Sequence, residues 1–222
     1  MALAKKHRMN TEIRRSIFAI LLSSEDYIDA FQKINKLGLK GQQERDVVTV
    51  LMYCCGQEKT FNPYYAHLSM KLCAFRKSYW FTFQTSFWDE WKRFEEETLL
   101  PRAVSNLAHL LAQLVGNMVM PLAALKSAEF ESLPAKGVLF FRVFFEDFLT
   151  LFDEDAVTQV VNKLAGKRDD YALIKLKEGI SLFFVQGLAV PKKPSNDKER
   201  LLKERVHLAQ HILLESASSD LF

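Results

Sequence analysis

Apolar residues recur at three- and four-residue spacing from Gln42 to Cys73, which predicts two helices joined by a tight corner. The first helix ends near Gly56. The second begins at Asn62-Pro63, where the Asn side chain can cap a free N–H and proline needs none. The buried stripe of the first helix is Val47, Val50, Leu51 and Cys54. The buried stripe of the second is Tyr64, Tyr65, Leu68, Leu72 and Cys73. This pattern is an αα-hairpin, the repeating unit of helical solenoids.

The same periodicity predicts two helices ahead of this hairpin. Asn10-Thr11 can cap the first of them. Its apolar stripe is Ile13, Ile17, Ile20 and Leu21. Hydroxyls and carboxylates from Ser23 to Asp26 mark the start of the second helix, since both favour a helix N-terminus. Gly38 then suits the left-handed conformation in which helices often end.

The next predicted helix, from Lys77 to Phe94, is the most aromatic part of the chain. Its rings nearly encircle the helix, so the excess must either rest on neighbouring hairpins or face a partner. They belong to Tyr79, Trp80, Phe81, Phe83, Phe87, Trp88, Trp91 and Phe94. An acidic corner of Glu95, Glu96 and Glu97 follows, and Pro101 then precedes a helix predicted from Arg102 to Val115.

A helix predicted from Ala135 to Phe152 is apolar on all sides, which indicates a position in the centre of a stack. The other predicted elements are a short helix opened by Pro121, a helix started by Asp153 to Asp155 and ended at Gly166, and a helix from Tyr171 to Val185. A final amphipathic helix carries its apolar residues at Leu201, Leu202, Val206, Leu208, Ala209 and Leu213.

No Val- or Ile-rich segment alternates with period two, so the predicted fold class is all-α. We expect a HEAT-like α-solenoid of about five αα-hairpins with short connections. The predicted organisation is a basic flexible lead-in (residues 1–9), a helical domain (10–190), a linker (191–197), and a C-terminal amphipathic helix and tail (198–222). The abrupt charged start suggests a fragment of a longer protein.

Composition excludes several classes of protein. The 222 residues are 49% hydrophobic, enough to bury a sizeable core, and the 8 Gly and 6 Pro are too few for a many-turned β-protein. No uncharged apolar run reaches about 20 residues, so we expect no membrane span, and no signal peptide is visible.

A search for catalytic chemistry finds neither a phosphate-binding Gly-rich loop nor a zinc-protease or nucleophile-elbow motif. Cys54, Cys55 and Cys73 lie on predicted helix faces, which favours buried, reduced thiols and a reducing compartment. His207 and His211 are four residues apart, but no further ligand has matching placement, so exposed histidines are favoured over a metal site. We therefore predict no enzyme activity, no catalytic or metal-ligating residues, and no cofactor.

Charge is concentrated at two basic segments. Residues 1–15 hold five Lys or Arg against one acid, and residues 191–205 hold six against three. Solvated flanks and direct RNA contact both explain these segments. If RNA binds here, its contacts are predicted at Arg8, Arg14, Arg15, Lys192 and Lys193.

The run from Cys54 to Ala66, Cys-Cys-Gly-Gln-Glu-Lys-Thr-Phe-Asn-Pro-Tyr-Tyr-Ala, resembles the MI domain, also called the MA-three domain. Leu37-Gly38-Leu39-Lys40 and the segment from Ser23 to Phe31 extend the similarity. Within the family, these motifs most resemble the branch found in nucleolar proteins that also carry a MIF4G domain. The spliceosomal MIF4G–MI branch shares the Cys-Cys-x-Gln feature but departs at Asn-Pro and at Leu-Gly-Leu-Lys. The similarity is high from about Arg8 to Cys73, fair from Phe83 to Phe130, and weak beyond.

The resemblance implies a protein-interaction module of a nucleolar factor in small ribosomal subunit (pre-18S rRNA) biogenesis, with protein partners in pre-ribosomal particles. A DEAD-box helicase of the initiation-factor four-A type is expected to be held by a MIF4G domain that this sequence lacks. Helicase-binding MI domains place acidic residues in the corner before a helix-opening proline, which here implies partner binding at Glu95, Glu96 and Glu97. The position beside Pro101 departs from that pattern, because Leu99-Leu100 stands there. A splicing factor is the alternative.

Overall fold

The computed structural model describes residues 10–166 and 170–218. These residues form ten α-helices and two short 3₁₀ segments, with no strand among them. The α-helices are α1 (Glu12–Ser23), α2 (Tyr27–Lys36), α3 (Gln42–Gln57), α4 (Pro63–Phe75), α5 (Lys77–Lys92), α6 (Pro101–Gly116), α7 (Ala135–Thr150), α8 (Glu154–Ala165), α9 (Tyr171–Gln186) and α10 (Asp197–Ser218). The 3₁₀ segments are Leu122–Ser127 and Phe130–Ser132. The all-α prediction is confirmed.

Helix starts follow the predicted caps. The Thr11 hydroxyl accepts the Arg14 N–H at 3.1 Å, and Asp26 Oδ1 accepts the N–H groups of the first turn of α2. Asn62 Oδ1 accepts the Tyr64 N–H at 3.0 Å ahead of Pro63. Each bond satisfies a donor that an α-helix leaves free at its start, so these helix starts could be predicted from a few adjacent residues.

The predicted helix stops are also local. The chain turns at Gly38 just after α2, and the φ of Gly38 is 61°, the left-handed value predicted there. Helix α3 ends at Gln57, one residue past the predicted stop, and α6 ends at Gly116.

The helices stack as expected for a HEAT-like arrangement. Neighbours along the chain pack together, as α1 does with α2 and α3 with α4, and each pair then rests on the next, α1 on α3 and α2 on α4. Helix α3 continues onto α5 and α6, and α6 lies along α7. At the far end α10 packs on α7, α8 and α9.

Helix α7 lies in the centre of the stack, as its all-round apolar surface predicted. Five of its phenylalanines are almost fully buried: Phe140, Phe141, Phe144, Phe145 and Phe148. Rings from α5, α9 and the second 3₁₀ segment surround them, including Phe87, Phe130 and Phe183. Most of the buried phenylalanines among the described residues therefore lie in this core.

The short helix expected after Pro121 is a 3₁₀ segment, closed by bonds such as Ala124 N–H to Pro121 O at 2.9 Å. Two tryptophans of α5 hold this segment and the turn before it. The Trp80 indole N–H donates to Val119 O at 2.9 Å, and that of Trp88 donates to Ala124 O at 2.7 Å. Much of the aromatic excess of α5 thus rests on its neighbours, although Phe81 stays 59% exposed.

Candidate partner-binding site

The acidic corner, Glu95 to Glu97, is held between two buried apolar residues. Phe94 and Leu99 are 4% and 7% exposed, and they anchor the chain where α5 ends and before α6 begins. The Glu96 N–H donates to Arg93 O at 2.9 Å, and the Leu99 N–H donates to Glu96 O at 3.2 Å. The three carboxylates between the anchors are all exposed. The corner is therefore a fixed turn that presents negative charge.

Arg93 organises the charges at the base of this corner. Its Nη1 donates to Glu90 Oε1 at 2.9 Å, and its Nε donates to Glu96 Oε2 at 3.1 Å. Burial raises the pKa of Glu90 despite this pairing. Glu95 and Glu97 form no ion pair with the described residues. These two carboxylates remain available to a basic partner.

Apolar grooves lie on both sides of the acidic corner. One groove, with a volume of about 280 Å³, is lined by Trp88, Trp91, Phe94 and Glu95 on one wall and by the chain around Leu133 on the other. The second, about 360 Å³, lies between α3 and the α5–α6 junction. Its lining includes Met52, Tyr53, Arg93, Thr98, Leu99 and Leu100.

The Leu99-Leu100 departure has a structural explanation. Leu99 is the buried anchor described above, whereas Leu100 is 47% exposed and lines the second groove. An apolar pair at this place therefore gives up one carboxylate and adds apolar surface next to the two free ones. Neither groove could be found from the sequence, because residues about forty positions apart line each of them.

The residues predicted to contact RNA are not gathered into one site by any described contact. Arg14 on α1 pairs with Asp46 on α3 at 2.7 Å, and the neighbouring Arg15 donates to Asn10 O at 3.4 Å. Lys192 and Lys193 are exposed in the stretch before α10. Helix α10 packs on α7, α8 and α9. Arg8 lies outside the described residues. RNA contact at these positions stays a prediction.

The cysteines are free thiols on packed helix faces, as predicted. Cys54 and Cys55 are buried and Cys73 is half-buried. Burial raises the pKa of Cys54 and Cys73 to about 12, and that of Cys55 is also raised. Both His207 and His211 are exposed. Within the described residues, no cluster of three His, Cys, Asp or Glu is placed to hold a metal ion.

Sequence reasoning missed two polar residues that join helices. Asn106, buried on the apolar face of α6, donates from Nδ2 to Cys55 O and Glu58 O at 3.1 and 2.9 Å. His109 Nδ1 lies 2.5 Å from Asp147 Oδ2, which links α6 to α7. An amide inside an otherwise apolar stripe is the one signal that could have drawn attention to Asn106.

Comparison with protein families matches residues 13–121 to the MA3 domain. Residues 13–121 belong to the MA3 domain family. The match covers α1 to α6, so the acidic corner lies inside the MA3 domain. MA-three is another name for this domain, and the resemblance noted in the sequence is confirmed. The match does not test the predicted domain end at residue 190.

Similarity to other proteins extends beyond the residues that match the MA3 domain. The mouse protein named nucleolar MIF4G domain-containing protein 1 is 40% identical over 96% of this chain, which covers 25% of that protein. Suppressor of glycerol defect protein 1 of Schizosaccharomyces pombe is 32% identical over 98% of this chain and is covered over 28% of its length. The mouse pre-mRNA-splicing factor CWC22 homolog is 22% identical over 60% of this chain and 15% of its own length. The chain thus spans about a quarter of the nucleolar relatives it matches. None of the described helices is long and apolar enough to cross a membrane.

Proposed function

We propose that this chain is a non-enzymatic protein-interaction domain of a nucleolar factor in small ribosomal subunit (pre-18S rRNA) biogenesis. The observation that carries the proposal is the acidic corner, where fixed, exposed carboxylates stand between two apolar grooves. Charge at the rim steers a partner and speeds association, while apolar surface beside it supplies most of the affinity. A partner with a basic face and one or two apolar side chains fits this surface best.

The choice of a nucleolar process rests on the relatives. Similarity to the proteins with nucleolar names extends over nearly the whole chain, whereas similarity to the splicing protein is weaker and covers 60% of it. The larger protein would also carry a MIF4G domain, and that domain would hold a DEAD-box helicase. The MA3 domain would then add protein contacts within pre-ribosomal particles.

The proposal is tested by affinity purification of the full-length protein from growing cells. Copurified RNA is quantified for pre-18S species and for spliceosomal small nuclear RNAs, with an unrelated nucleolar protein as the control for background. Enrichment of pre-18S RNA is the expected result. Enrichment of spliceosomal RNA with none of pre-18S would instead assign the chain to splicing and overturn the proposal.

A further inference from the structure

A cleft of about 290 Å³ lies outside the MA3 match, between the end of α9 with the stretch after it and the middle of α10. Its floor is apolar, and the most exposed of the floor residues is Val185, which is 72% exposed. The other floor residues are Phe184, Val190, Pro191 and Val206. The volume is at the small end of ligand pockets, about 300–1,000 Å³, and suits one or two apolar side chains.

Apolar surface leads into this cleft along α9. Leu182 and Val185, three residues apart near the end of α9, are both exposed. Tyr171 and Ile174 are exposed nearer the start of the helix, and the exposed Glu178 separates the two pairs. Tyr171 is 80% exposed. Leu182 and Val185 therefore extend the apolar surface of the cleft by about one turn of α9.

The rim of the cleft is basic. Lys192, Lys203 and His207 line it together with Gln210, and no Asp or Glu is among the lining residues. The Lys203 ammonium donates to Lys192 O at 3.0 Å, which fixes its charge beside the opening.

Three carboxylates near the cleft are engaged by other groups, and the exposed Glu204, next to Lys203, does not line the cleft. Glu199 accepts from the Ser195 N–H at 2.7 Å and from its hydroxyl at 2.8 Å, and these bonds lower the pKa of Glu199. Asp197 pairs with Arg200 at 3.2 Å, and Glu154 pairs with Arg205 at 3.3 Å. The positive charge at the rim is therefore not balanced by the cleft itself.

We propose that this cleft binds an acidic peptide segment that inserts one or two aliphatic side chains. The aliphatic groups would lie on Val185 and Val206, while flanking carboxylates would face Lys192 and Lys203. This surface is separate from the acidic corner and selects a partner of the opposite charge. The proposal does not depend on the ribosomal function.

The lack of an exposed aromatic ring in the floor favours a peptide over RNA. Proteins that hold single-stranded RNA combine positive charge with exposed aromatic rings on which bases stack. The Phe184 ring in this floor is only 5% exposed, and His207 is the one exposed ring among the lining residues. Lys192 is also a predicted RNA contact, so the experiment must include RNA as a competing ligand.

The test is fluorescence anisotropy of the 222-residue chain with the labelled peptide Asp-Glu-Asp-Leu-Leu-Asp-Glu-Asp. Binding is expected to weaken about ten-fold or more in Val185→Glu and in Lys192→Glu, because each change places a carboxylate where the peptide's own groups lie. A peptide with Ser in place of both Leu should also bind more weakly. Ile28→Glu and Lys40→Glu are matched controls on exposed residues at the other end of the chain, and they should bind as the unmodified chain does.

Three results would overturn the proposal. The first is no peptide binding, or binding that neither cleft variant changes. The second is tighter binding of an oligouridylate, lost in Lys192→Glu, which would make the cleft an RNA site. The third is a dimer in sedimentation that Val185→Glu dissociates, which would show that a second copy covers this face. Val185 and Lys192 are exposed, so both variants should fold. If Val185→Glu does not fold, the result with Lys192→Glu tests the proposal alone.

Discussion

Asn106 shows how one polar residue can fasten two helices. The last carbonyl groups of an α-helix lack the regular helical donor, and the Asn106 amide donates to Cys55 O and Glu58 O at the end of α3, where Cys55 O also accepts the Glu58 N–H. In return the Cys55 thiol lies 3.7 Å from Asn106 O. Cys55 of the Cys-Cys motif that begins the MA3-like run is therefore bonded to α6.

Replacing Asn106 by Ala should lower the free energy of unfolding by about 1–3 kcal/mol, because Glu58 O loses the amide donor and Cys55 O keeps only the Glu58 N–H. Urea denaturation measures the change. Asn162→Ala is the matched control, since Asn162 is also helical but exposed, and it should cost about 0.5 kcal/mol or less. Equal effects of the two substitutions would contradict the role given to Asn106.

The thiols give a prediction that depends on pH. Burial raises the pKa of Cys54 and Cys73 to about 12, so at pH 8.5 their thiolate fraction is about a thousand-fold below that of an unfolded chain. Alkylation by iodoacetamide should be slow in the folded protein and fast in guanidinium chloride. The raised pKa values also stabilise the folded state below about pH 9, and this contribution is lost as the pH rises towards 12. Modification of Cys54 at the denatured rate would contradict its burial.

At the scale of elements, the sequence predicts what neighbouring residues decide. Thr11, Asp26 and Asn62 act on backbone groups two or three positions away, so their helix starts could be predicted. The 3₁₀ form of Leu122–Ser127 could not, because it is held by indoles about 36 to 39 positions earlier in the chain. Long-range contacts of this kind leave no periodic signal.

The hydrogen bond of Trp88 to the 3₁₀ segment can be tested by comparing Trp88 with Trp91, which lies on the same helix. Trp88→Phe removes the donor to Ala124 O and should lower the free energy of unfolding by about 1–2 kcal/mol, with faster hydrogen exchange at the amides of Ala124 and Ala128. Trp91→Phe is the control, because the Trp91 indole N–H is buried with no partner among the described residues. If both variants speed exchange at these amides equally, the 3₁₀ segment is held by packing of the indole rings and not by the Trp88 hydrogen bond.

At the scale of the whole molecule, the chain carries two surfaces of opposite charge. The acidic corner lies within the MA3 match, and the basic cleft lies beyond it. The corner could be predicted because three adjacent glutamates before a proline are visible in the sequence. Its grooves and the α9–α10 cleft could not, since packing alone brings their walls together. No described contact joins the basic residues of α1 to those before α10, and RNA contact at these positions stays a prediction.

The most direct test of the proposed function reverses the charges of the acidic corner. Glu95→Lys, Glu96→Lys and Glu97→Lys, combined in the full-length protein, should leave the thermal melt of the domain nearly unchanged, because exposed charges shift stability by about 0.5 kcal/mol or less. The control combines Glu12→Lys, Glu25→Lys and Glu131→Lys, which makes the same charge change at exposed positions away from the corner and the α9–α10 cleft. Quantitative mass spectrometry of copurified proteins should show partners lost from the corner variant and kept by the control. A folded corner variant that recovers every partner undiminished would contradict the proposal that this surface is where partners bind.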